Sequence, residues 1–360
     1  MKFLVITNHS YMLWQFRKEL LQELQKKGEV VISMPFLGHE DDFQALGFRC
    51  INTEINRRGI NPFQDYKLYR FYKKLIKNEE PDKVITYSIK PNVYAGFLCR
   101  RMKIPYYVNV QGLGTAFQSD PMATIATKMY KIGLKKAEVV FFENQFNADE
   151  FVNRNIVRKE KEVVLNGAGV NLDLYKYQPY PSEDDGIHIL YLGRIMKEKG
   201  VDETFNAMRI VKAKYKERVV FDVVGFFEDE YKETVEKLVE DGVIVFHGFQ
   251  PDPKPYYAMA HCVVLASYHE GMSNVLLEAA ATGRAVITTD IPGCREAVDD
   301  GVNGYLCKKQ NVGSLVVCIE QFLNKNQIER EIIGKNGRKK MENEFAKSMV
   351  VSSTVGIINK

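Results

Sequence analysis

The sequence predicts an α/β protein in which two doubly wound parallel sheets form two successive domains. Three observations support this fold class. Short runs of β-branched residues alternate with longer amphipathic runs along the whole chain, as in a series of β-α-β units. The strand segments are almost continuously apolar, which is typical of parallel strands covered by helices on both faces. A polar segment, 172–186, interrupts this rhythm once, near the middle of the 360 residues.

In the first half, six apolar segments are predicted to be strands. They are KFLVIT, EVVIS, DKVITY, PYYVNV, AEVVFF and KEVVLN. All are short and rich in Val, Ile, Phe or Tyr, which fit the pleated and buried positions of a sheet. Between them, apolar residues recur at helical spacing. The predicted helices cover about 10–22, 63–78, 91–102 and 122–136.

The second half repeats the pattern. Its predicted strands are IHILYLG, VVFDVVG, VIVFHG, HCVVLAS and AVITTD. Helical periodicity is found near 200–215, 229–240, 273–282 and 312–324. Because strands alternate with helices here as well, this half predicts a second parallel sheet.

Segment 172–186, LDLYKYQPYPSEDDG, is predicted to be the linker because it is polar and contains two prolines and a glycine. The chain then divides into a first domain, 1–171, and a second domain, 187–344. We expect the last segment, 345–360, to cross back to the first domain. Ligands of doubly wound sheets bind at the carboxyl ends of the strands, so we expect these two edges to face each other across a cleft.

Composition narrows the classes of protein. Residues 1–180 contain 27 Lys and Arg against 19 Asp and Glu, whereas residues 181–360 contain 23 against 27. A basic half suits phosphates, anionic lipid or nucleic acid, and a solvated surface without a dedicated partner is an equally good interpretation. The six cysteines are scattered without a CxxC pair, which indicates reduced thiols rather than disulfides or a zinc site. No signal peptide or membrane span is predicted, because no apolar run approaches about 18 residues.

Two carboxylates stand in HEGMSNVLLEAAATG, residues 269–283. Ser273 is a natural N-cap for a helix that Gly283 would end, and the first-turn amides of this helix are suited to a diphosphate. Glu278 falls among Leu and Ala, where an unpaired carboxylate is costly. It therefore needs hydrogen-bond donors, and the hydroxyls of a ribose would supply two. Glu270 could bind sugar hydroxyls in the same way, although two surface glutamates near a helix start are the simpler interpretation.

A second polar group lies in YLGRIMKEKG, residues 191–200. The predicted strand ends at Gly193, Arg194 follows, and Lys199 precedes the next helix. Two cations at a strand end suit a diphosphate, Arg as a fork and Lys as a point charge, and would stabilise it as a leaving group. An ordinary basic loop is the alternative. NAD and FAD are not favoured, because the loop after the first strand, NHSYMLWQF, contains no glycine.

These segments resemble the retaining GT-B glycosyltransferases of family GT4. NGAGVN, YLGRIMKEKGVD and HEGMSNVLLEAAATGRAVITTDIPGCREAV are similar to three signatures of that family, in order and at the usual separations. The resemblance covers nearly the whole chain and is strongest from 163 to 310. Its most specific element is the Glu-x7-Glu pair, Glu270 and Glu278.

The resemblance implies a first domain that binds the acceptor and a second that binds a nucleotide-sugar donor. Arg194 and Lys199 would hold the donor diphosphate, and Glu278 would hold the ribose. Glu270 would contact the transferred sugar and act in catalysis together with the two cations. The donor-binding residues implied are Arg194, Lys199, Gly225, Phe249, Glu270, Gly271, Ser273, Asn274, Val275, Leu276 and Glu278.

The first half resembles a bacterial subgroup of GT4 that extends undecaprenyl-diphosphate-linked sugars, through WQFRKELL, INPFQDY, TYSIKPNVYAG and QGLGTAF. The acceptor-binding residues implied are Ser10, Arg17, Lys90, Gln111, Gly112 and Gly114. Many GT4 members have glycines after the first strand and a histidine after the strand near 105–110. This chain instead has His9 and Ser10 at the first position and Gln111 at the second. His9 could take a catalytic role, but a histidine that is simply hydrogen-bonded at a strand end is the more frequent case.

The resemblance implies transfer of a hexosyl or N-acetylhexosaminyl group from a UDP-sugar to a polyprenyl-diphosphate-linked saccharide, with retention at the anomeric carbon. No carboxylate is obviously placed as a nucleophile, so front-face attack assisted by the leaving phosphate is favoured. We expect no metal or other cofactor, because Arg194, Lys199 and helix amides can neutralise the leaving charge. The alternatives are a sugar-nucleotide epimerase, a transferase that uses a GDP-sugar, and a binding module for nucleotide sugars or nucleic acid. No nucleic-acid motif accompanies the basic half.

Two basic aromatic stretches, 66–77 and 128–136, could lie on an anionic membrane as amphipathic helices. Each could equally pack its aromatic residues inward and solvate its lysines. Together with a lipid-linked acceptor, they predict a cytoplasmic protein held peripherally on the inner-membrane surface.

Overall fold

The computed structural model describes residues 1–54, 61–113, 117 and 120–360. The chain divides into two compact units. The first consists of Met1–Ala168 together with Val350–Lys360, and the second consists of Gly169–Met349. Segment 172–186, interpreted above as the linker, therefore lies within the second unit, and residues 350–360 are assigned to the first.

The first unit contains a seven-stranded parallel sheet in the order β3-β2-β1-β4-β5-β6-β7. Its strands are β1 (Lys2–Ile6), β2 (Glu29–Met34), β3 (Arg49–Asn52), β4 (Lys83–Tyr87), β5 (Tyr106–Val110), β6 (Val139–Phe142) and β7 (Glu162–Val164). Its helices are α1 (Ser10–Gln25), α2 (Glu40–Ala45), α3 (Pro62–Glu79), α4 (Ile89–Met102), α5 (Asp120–Leu134) and α6 (Gln145–Asn153). The chain moves outward from β1 to β3 and then returns to β4, so the strand order reverses between β1 and β4.

The second unit contains a six-stranded parallel sheet in the order β10-β9-β8-β11-β12-β13. Its strands are β8 (Ile187–Leu192), β9 (Val219–Val224), β10 (Val245–Gly248), β11 (Cys262–Leu265), β12 (Ala285–Thr289) and β13 (Gly304–Cys307). The helices are α7 (Val201–Tyr215), α8 (Lys232–Glu240), α9 (Lys254–Met259), α10 (Asn274–Ala281), α11 (Val312–Leu323) and α12 (Gln327–Lys340). The last helix, α13 (Lys347–Ile358), begins in this unit, but its residues from Val350 onward belong to the first unit. The order reverses between β8 and β11. Ligands of such sheets bind beside a reversal of this kind.

The predicted α/β class and the eleven predicted strands are confirmed, as are the eight predicted helices. Strands β3 and β13 and five helices were not predicted. Helix α12 was missed because its sequence, QIEREIIGKNGRKK, is polar and contains two glycines. The glycines allow close packing, since a Cβ atom at Gly334 would lie 2.1 Å from the carbonyl oxygen of Gly283.

Two buried arginines attach segment 172–186 to the second unit. Arg284 is fully buried and donates to the carbonyl oxygens of Gln178 and Pro179. Arg330 is also buried and forms an ion pair with Glu183 at 2.5 Å. The carbonyl oxygens of Gln178 and Pro179 are thus satisfied by a side chain instead of by secondary structure.

All six cysteines are free thiols. Within the described parts of the chain, no helix has both the length and the hydropathy required to span a membrane.

Candidate functional site

The polar motif residues of the second unit lie at the carboxyl ends of β8 and β11, where the strand order reverses. Lys199 follows β8, and its Nζ donates to Oε1 of Glu270 at 2.5 Å. Ser267, just after β11, donates its hydroxyl to the same Oε1 at 2.8 Å. The Lys199 and Glu270 side chains remain 19% and 12% exposed. The two motif side chains thus meet at this edge, although 71 residues separate them.

Hydrogen bonds hold the loops that carry this pair. The amide of Tyr268 donates to the carbonyl oxygen of Glu198 at 2.8 Å, which joins the loop after β11 to the turn before Lys199. Gly293 has a φ of +85°, and a Cβ atom there would lie 2.6 Å from the carbonyl oxygens of Glu270 and Gly271. A side chain at position 293 would therefore displace the Glu270 loop as well as strain its own backbone.

Helix α10 starts at this edge, with Ser273 in the N-cap position. The predicted N-cap position of Ser273 is confirmed, although its hydroxyl makes no capping hydrogen bond. Its amide is also engaged, donating to the carbonyl oxygen of Gly293 at 2.8 Å. The first-turn amides of Asn274, Val275 and Leu276 have no acceptor inside the helix. Gly283, with a φ of +87°, follows the C-cap as predicted.

Glu278 lies inside α10 and is 9% exposed. Tyr257 donates its hydroxyl to Oε2 of Glu278 at 2.9 Å. Burial raises the pKa of Glu278 to about 7, while hydrogen bonds from Tyr257 and Tyr175 and the charge of Lys347 oppose that rise. From the sequence, a ligand ribose was expected to provide the hydrogen-bond donors to Glu278. This expectation was incomplete, since the protein itself provides two of them. Neither tyrosine stands in a recognisable motif, so sequence reasoning missed both.

Arg194 is exposed, and its guanidinium pairs with Glu228 at 2.7 Å. Its carbonyl oxygen accepts a hydrogen bond from the hydroxyl of Tyr191 at 2.7 Å. The two cations predicted together thus have different partners: Lys199 pairs with Glu270, and Arg194 pairs with a residue that follows β9.

Gly225 and Phe249 lie at the ends of β9 and β10. The amide of Gly225 donates to the carbonyl oxygen of Gly248, and a Cβ atom at Gly225 would lie 1.9 Å from the carbonyl oxygen of Gly193. The ends of three strands are therefore tightly packed here. Phe249 is exposed and packs edge-on against Phe226, which is also exposed, with 5.9 Å between ring centroids.

The predicted residues of the first unit follow strand ends, except for Arg17 in the middle of α1, and the structure gives several of them structural partners. His9 caps α1, and its Nδ1 accepts from the amide of Met12 at 3.4 Å. Ser10 is fully buried. Arg17 is 3% exposed, and its Nη2 donates to Glu143 Oε1 at 2.6 Å. Lys90 pairs with Asp65 at 2.8 Å.

Gln111 and Gly112 directly follow β5 and are partly exposed. Gln111 lines a small cavity together with Arg17, Asn109 and Glu143. Gly114, the remaining residue of the predicted acceptor group, lies outside the described residues. One feature of this edge was not predicted: Ser88, directly after β4, has a φ of +75°. Strained backbone of this kind tends to cluster at functional sites.

Among the described residues, no group of three or more His, Cys, Asp and Glu side chains is placed to hold a metal ion. Lys199 and Glu270 provide an ion pair just before α10 in this unit. A cation, helix amides and hydroxyl acceptors at a strand-order reversal form a site suited to a sugar attached to a diphosphate.

The two parallel sheets define a class, that of proteins built from two Rossmann-like units. Models of two known protein families match the chain, one in each half. Residues 176–340 match the model "Glycosyl transferases group 1", and residues 2–144 match the model "Glycosyl transferase 4-like". The two ranges together take in most of the chain, and the protein is a glycosyltransferase with the GT-B fold.

Two similar proteins come from Campylobacter jejuni. One is named N,N'-diacetylbacillosaminyl-diphospho-undecaprenol alpha-1,3-N-acetylgalactosaminyltransferase; it is 26% identical over 335 residues, covering 88% of either chain. The other is named N-acetylgalactosamine-N,N'-diacetylbacillosaminyl-diphospho-undecaprenol 4-alpha-N-acetylgalactosaminyltransferase; it is 26% identical over 294 residues, covering 77% of this chain and 78% of its own.

Solved structures share the fold. A glycosyltransferase from Rickettsia africae superposes with a TM-score of 0.81 at 19% identity, covering 99% of this chain and 97% of its own. HepE of Anabaena, crystallised with UDP, superposes with the same TM-score at 16% identity, covering all of both chains. These neighbours establish the GT-B architecture of the chain.

Proposed function

We propose that the protein is a retaining transferase that moves a hexose or N-acetylhexosamine from a UDP-sugar to a polyprenyl-diphosphate-linked saccharide. This reaction would belong to the assembly of a bacterial surface polysaccharide or of a glycoprotein glycan. The observation that carries the proposal is the cluster of Lys199, Glu270 and Ser267 beside the N-terminus of α10. The names of the two Campylobacter relatives add the lipid-linked acceptor.

The donor is assigned to this cluster because its groups match the parts of a UDP-sugar. Lys199 and the first amides of α10 neutralise the diphosphate as it leaves. Glu270 and Glu278 accept hydroxyls of the transferred sugar and of the ribose. The exposed ring of Phe249 provides a face against which a uracil base can stack.

When the glycosidic bond to the diphosphate breaks, negative charge grows on the leaving oxygen, and a fixed ammonium group stabilises it. Lys199 is already held in place by Glu270 at 2.5 Å. Transfer is thus expected to need no metal ion, and activity should persist in excess EDTA. Loss of activity that Mg²⁺ or Mn²⁺ restores would contradict this expectation.

Retention is the stereochemical part of the proposal. A UDP-α-sugar should yield an α-linked product, which the anomeric coupling constant in the ¹H NMR spectrum of the isolated product measures. A β-linked product would reverse the assignment and would require a general base opposite the leaving group.

The acceptor implies contact with a membrane, and helices α3 and α5 carry the features required. The apolar positions Leu68, Tyr72 and Leu75 of α3 pack inward, as the simpler interpretation expected. Exposed apolar side chains remain, however, with Phe63 67% and Ile132 50% exposed. They are accompanied by exposed cations of the two helices, namely Lys67, Arg70, Lys73, Lys74, Lys77, Lys128 and Lys131. We assign this basic apolar face to the cytoplasmic surface of an anionic bilayer.

Vesicle sedimentation tests the membrane assignment. The protein should pellet with vesicles that contain phosphatidylglycerol and remain in solution with pure phosphatidylcholine. The double variant Lys67→Glu/Lys74→Glu should lose most of this binding, because each cation near an anionic surface contributes about 1 kcal/mol. Lys214→Glu/Lys232→Glu, on exposed positions of the second unit, is the matched control. Equal loss of vesicle binding in the two double variants would contradict the assignment of this face to the membrane.

The reaction itself is tested by UDP release from a panel of UDP-sugars, with and without a short-chain polyprenyl-diphosphate sugar. Acceptor-stimulated release from one donor, abolished in Glu278→Ala, supports the proposal and identifies the sugar. If nucleoside diphosphate were released only from GDP-sugars, the donor would be a GDP-sugar instead of a UDP-sugar. Epimerisation of UDP-GlcNAc in the absence of acceptor would indicate the epimerase instead.

A further inference from the structure

The surroundings of Glu278 differ from those of the other motif carboxylate. Glu270 binds an ammonium group, that of Lys199. Glu278 instead accepts the hydroxyl of Tyr257, a fully buried side chain from helix α9, and is also hydrogen-bonded by Tyr175. The charge of Lys347, the first residue of α13, acts on it over a distance.

These donors come from separate elements that are fixed to one another. The rings of Tyr175 and Tyr257 meet edge to face, with 6.0 Å between centroids. The guanidinium of Arg338 donates to the carbonyl oxygens of Tyr175 and Ala281, both at 2.9 Å. The backbone of Tyr175 is therefore tied to the helix that carries Glu278, and the carboxylate has little freedom to rotate.

The two tyrosines that donate to Glu278 are neutral, so they affect the charge of this carboxylate differently from a cation. A carboxylate offers about four acceptor sites, and two tyrosines use two of them. The negative charge is not cancelled, because a phenol donates a hydrogen bond without a positive charge. The remaining acceptor sites match the two vicinal hydroxyls of a ribose, and hydrogen bonds to a charged acceptor are the strong ones.

We propose that Tyr257, together with Tyr175, is a positioning residue that orients the Glu278 carboxylate and favours its ionised form, so that its remaining acceptor sites receive the ribose hydroxyls of the donor. This inference rests on the proposed function, because it assumes that Glu278 binds a nucleoside ribose. Burial raises the pKa of this carboxyl group and the two tyrosine hydroxyls oppose that rise, with a net value of about 7, so that the ionised acceptor form is populated at neutral pH.

The test measures donor KM, kcat and the pH profile of kcat/KM for Tyr257→Phe and Tyr175→Phe. Tyr257→Phe removes a hydrogen bond to a charged group, so the KM for the UDP-sugar should rise about tenfold with a smaller change in kcat. Because the Tyr257 hydroxyl lowers the pKa of Glu278, its loss should also move the acid limb of kcat/KM to higher pH. A merely structural role would not move that limb.

Tyr305→Phe is the control, since it removes the hydroxyl of another buried tyrosine of the same unit, on β13. It should leave both KM and the pH profile unchanged. Thermal unfolding of each variant shows whether it folds. If Tyr257→Phe does not fold, Tyr175→Phe tests the proposal in its place, and its acid limb of kcat/KM is expected to move in the same direction.

The failure of this inference is distinct from failure of the proposed function. If Glu278→Gln loses UDP binding while both tyrosine variants keep the wild-type KM and acid limb, the positioning role is overturned and the transferase remains. If the wild-type protein neither binds UDP nor releases it from any donor, the proposed function fails and the inference fails with it.

Discussion

The reversal points of the two sheets carry similar residue types in different settings. In the second unit, Lys199 and Glu270 come from different loops and stay partly exposed. In the first unit, the Arg17 side chain that pairs with Glu143 is only 4% exposed, against 19% for Lys199, while both carboxylates are 12% exposed. The first arrangement leaves a cation that a ligand can reach, whereas the second buries its cation inside the unit. Equivalent substitutions should therefore affect ligand binding in one unit and stability in the other.

The largest expected effect is on the stability of the first unit. Arg17→Met removes a buried guanidinium, 4% exposed, from its pair with Glu143, and breaking a buried pair costs about 3–5 kcal/mol. Urea unfolding should show this loss. Lys26→Met breaks the exposed pair with Glu23, whose side chains are 66% and 43% exposed, and should change stability by no more than about 0.5 kcal/mol. Equal losses of unfolding free energy in Arg17→Met and Lys26→Met would contradict the stabilising role given to the buried pair.

The next effect is on donor use in the second unit. Lys199→Met removes the cation that stabilises the leaving diphosphate, and kcat/KM for the donor should fall by about 10²–10³. Thermal stability should change less, since the Lys199 side chain is partly exposed and Ser267 still donates to Glu270 in the variant. Lys197→Met, in the same turn, is the control and should retain activity. A drop in melting temperature that accounts for the lost activity would argue against a direct role.

A smaller effect concerns pH and stability at Glu278. Burial raises its pKa from 4.5 to about 7 in the folded protein, so its contribution to stability is complete below about pH 4.5 and is lost as pH rises through 7. The variant Glu278→Gln cannot titrate. Its stability relative to the wild type should therefore increase between pH 5 and pH 8, as measured by unfolding midpoints in matched buffers. A constant difference across this range would mean that the carboxylate is already ionised at pH 5.

The smallest effect is expected at Arg194. Its pairing with Glu228 at 2.7 Å competes with a diphosphate for the same guanidinium, and an exposed pair of this kind is worth about 0.2–1 kcal/mol. Glu228→Gln should therefore tighten UDP binding by no more than about fivefold, as measured by calorimetry. Weaker binding in this variant would show that Glu228 orients Arg194 for the ligand.

The sequence predicted the fold well because strand burial and helix periodicity are local signals. It also located Glu270 and Lys199, since both stand next to strand ends and glycines. It could not indicate that Tyr257 meets Glu278, because that contact joins two helices and depends on their packing. In the first unit, the partners of Arg17 and Lys90 lie 126 and 25 positions away in the sequence, and no spacing rule points to them. The resemblance suggested acceptor binding for residues whose charges turn out to be paired internally.

Calorimetric titration of UDP into the wild type, Lys199→Met and Lys90→Met tests the contrast between the units most directly. Lys90 pairs with Asp65 in the first unit, and its loss should leave UDP affinity within about twofold of the wild type, as exposed or internally paired charges contribute little to a ligand elsewhere. Lys199→Met should weaken UDP binding at least tenfold, because hydrogen bonds from a cation to phosphate are strong. Undiminished binding in Lys199→Met, with loss in Lys90→Met, would place the nucleotide in the first unit and contradict the assignment of the donor site.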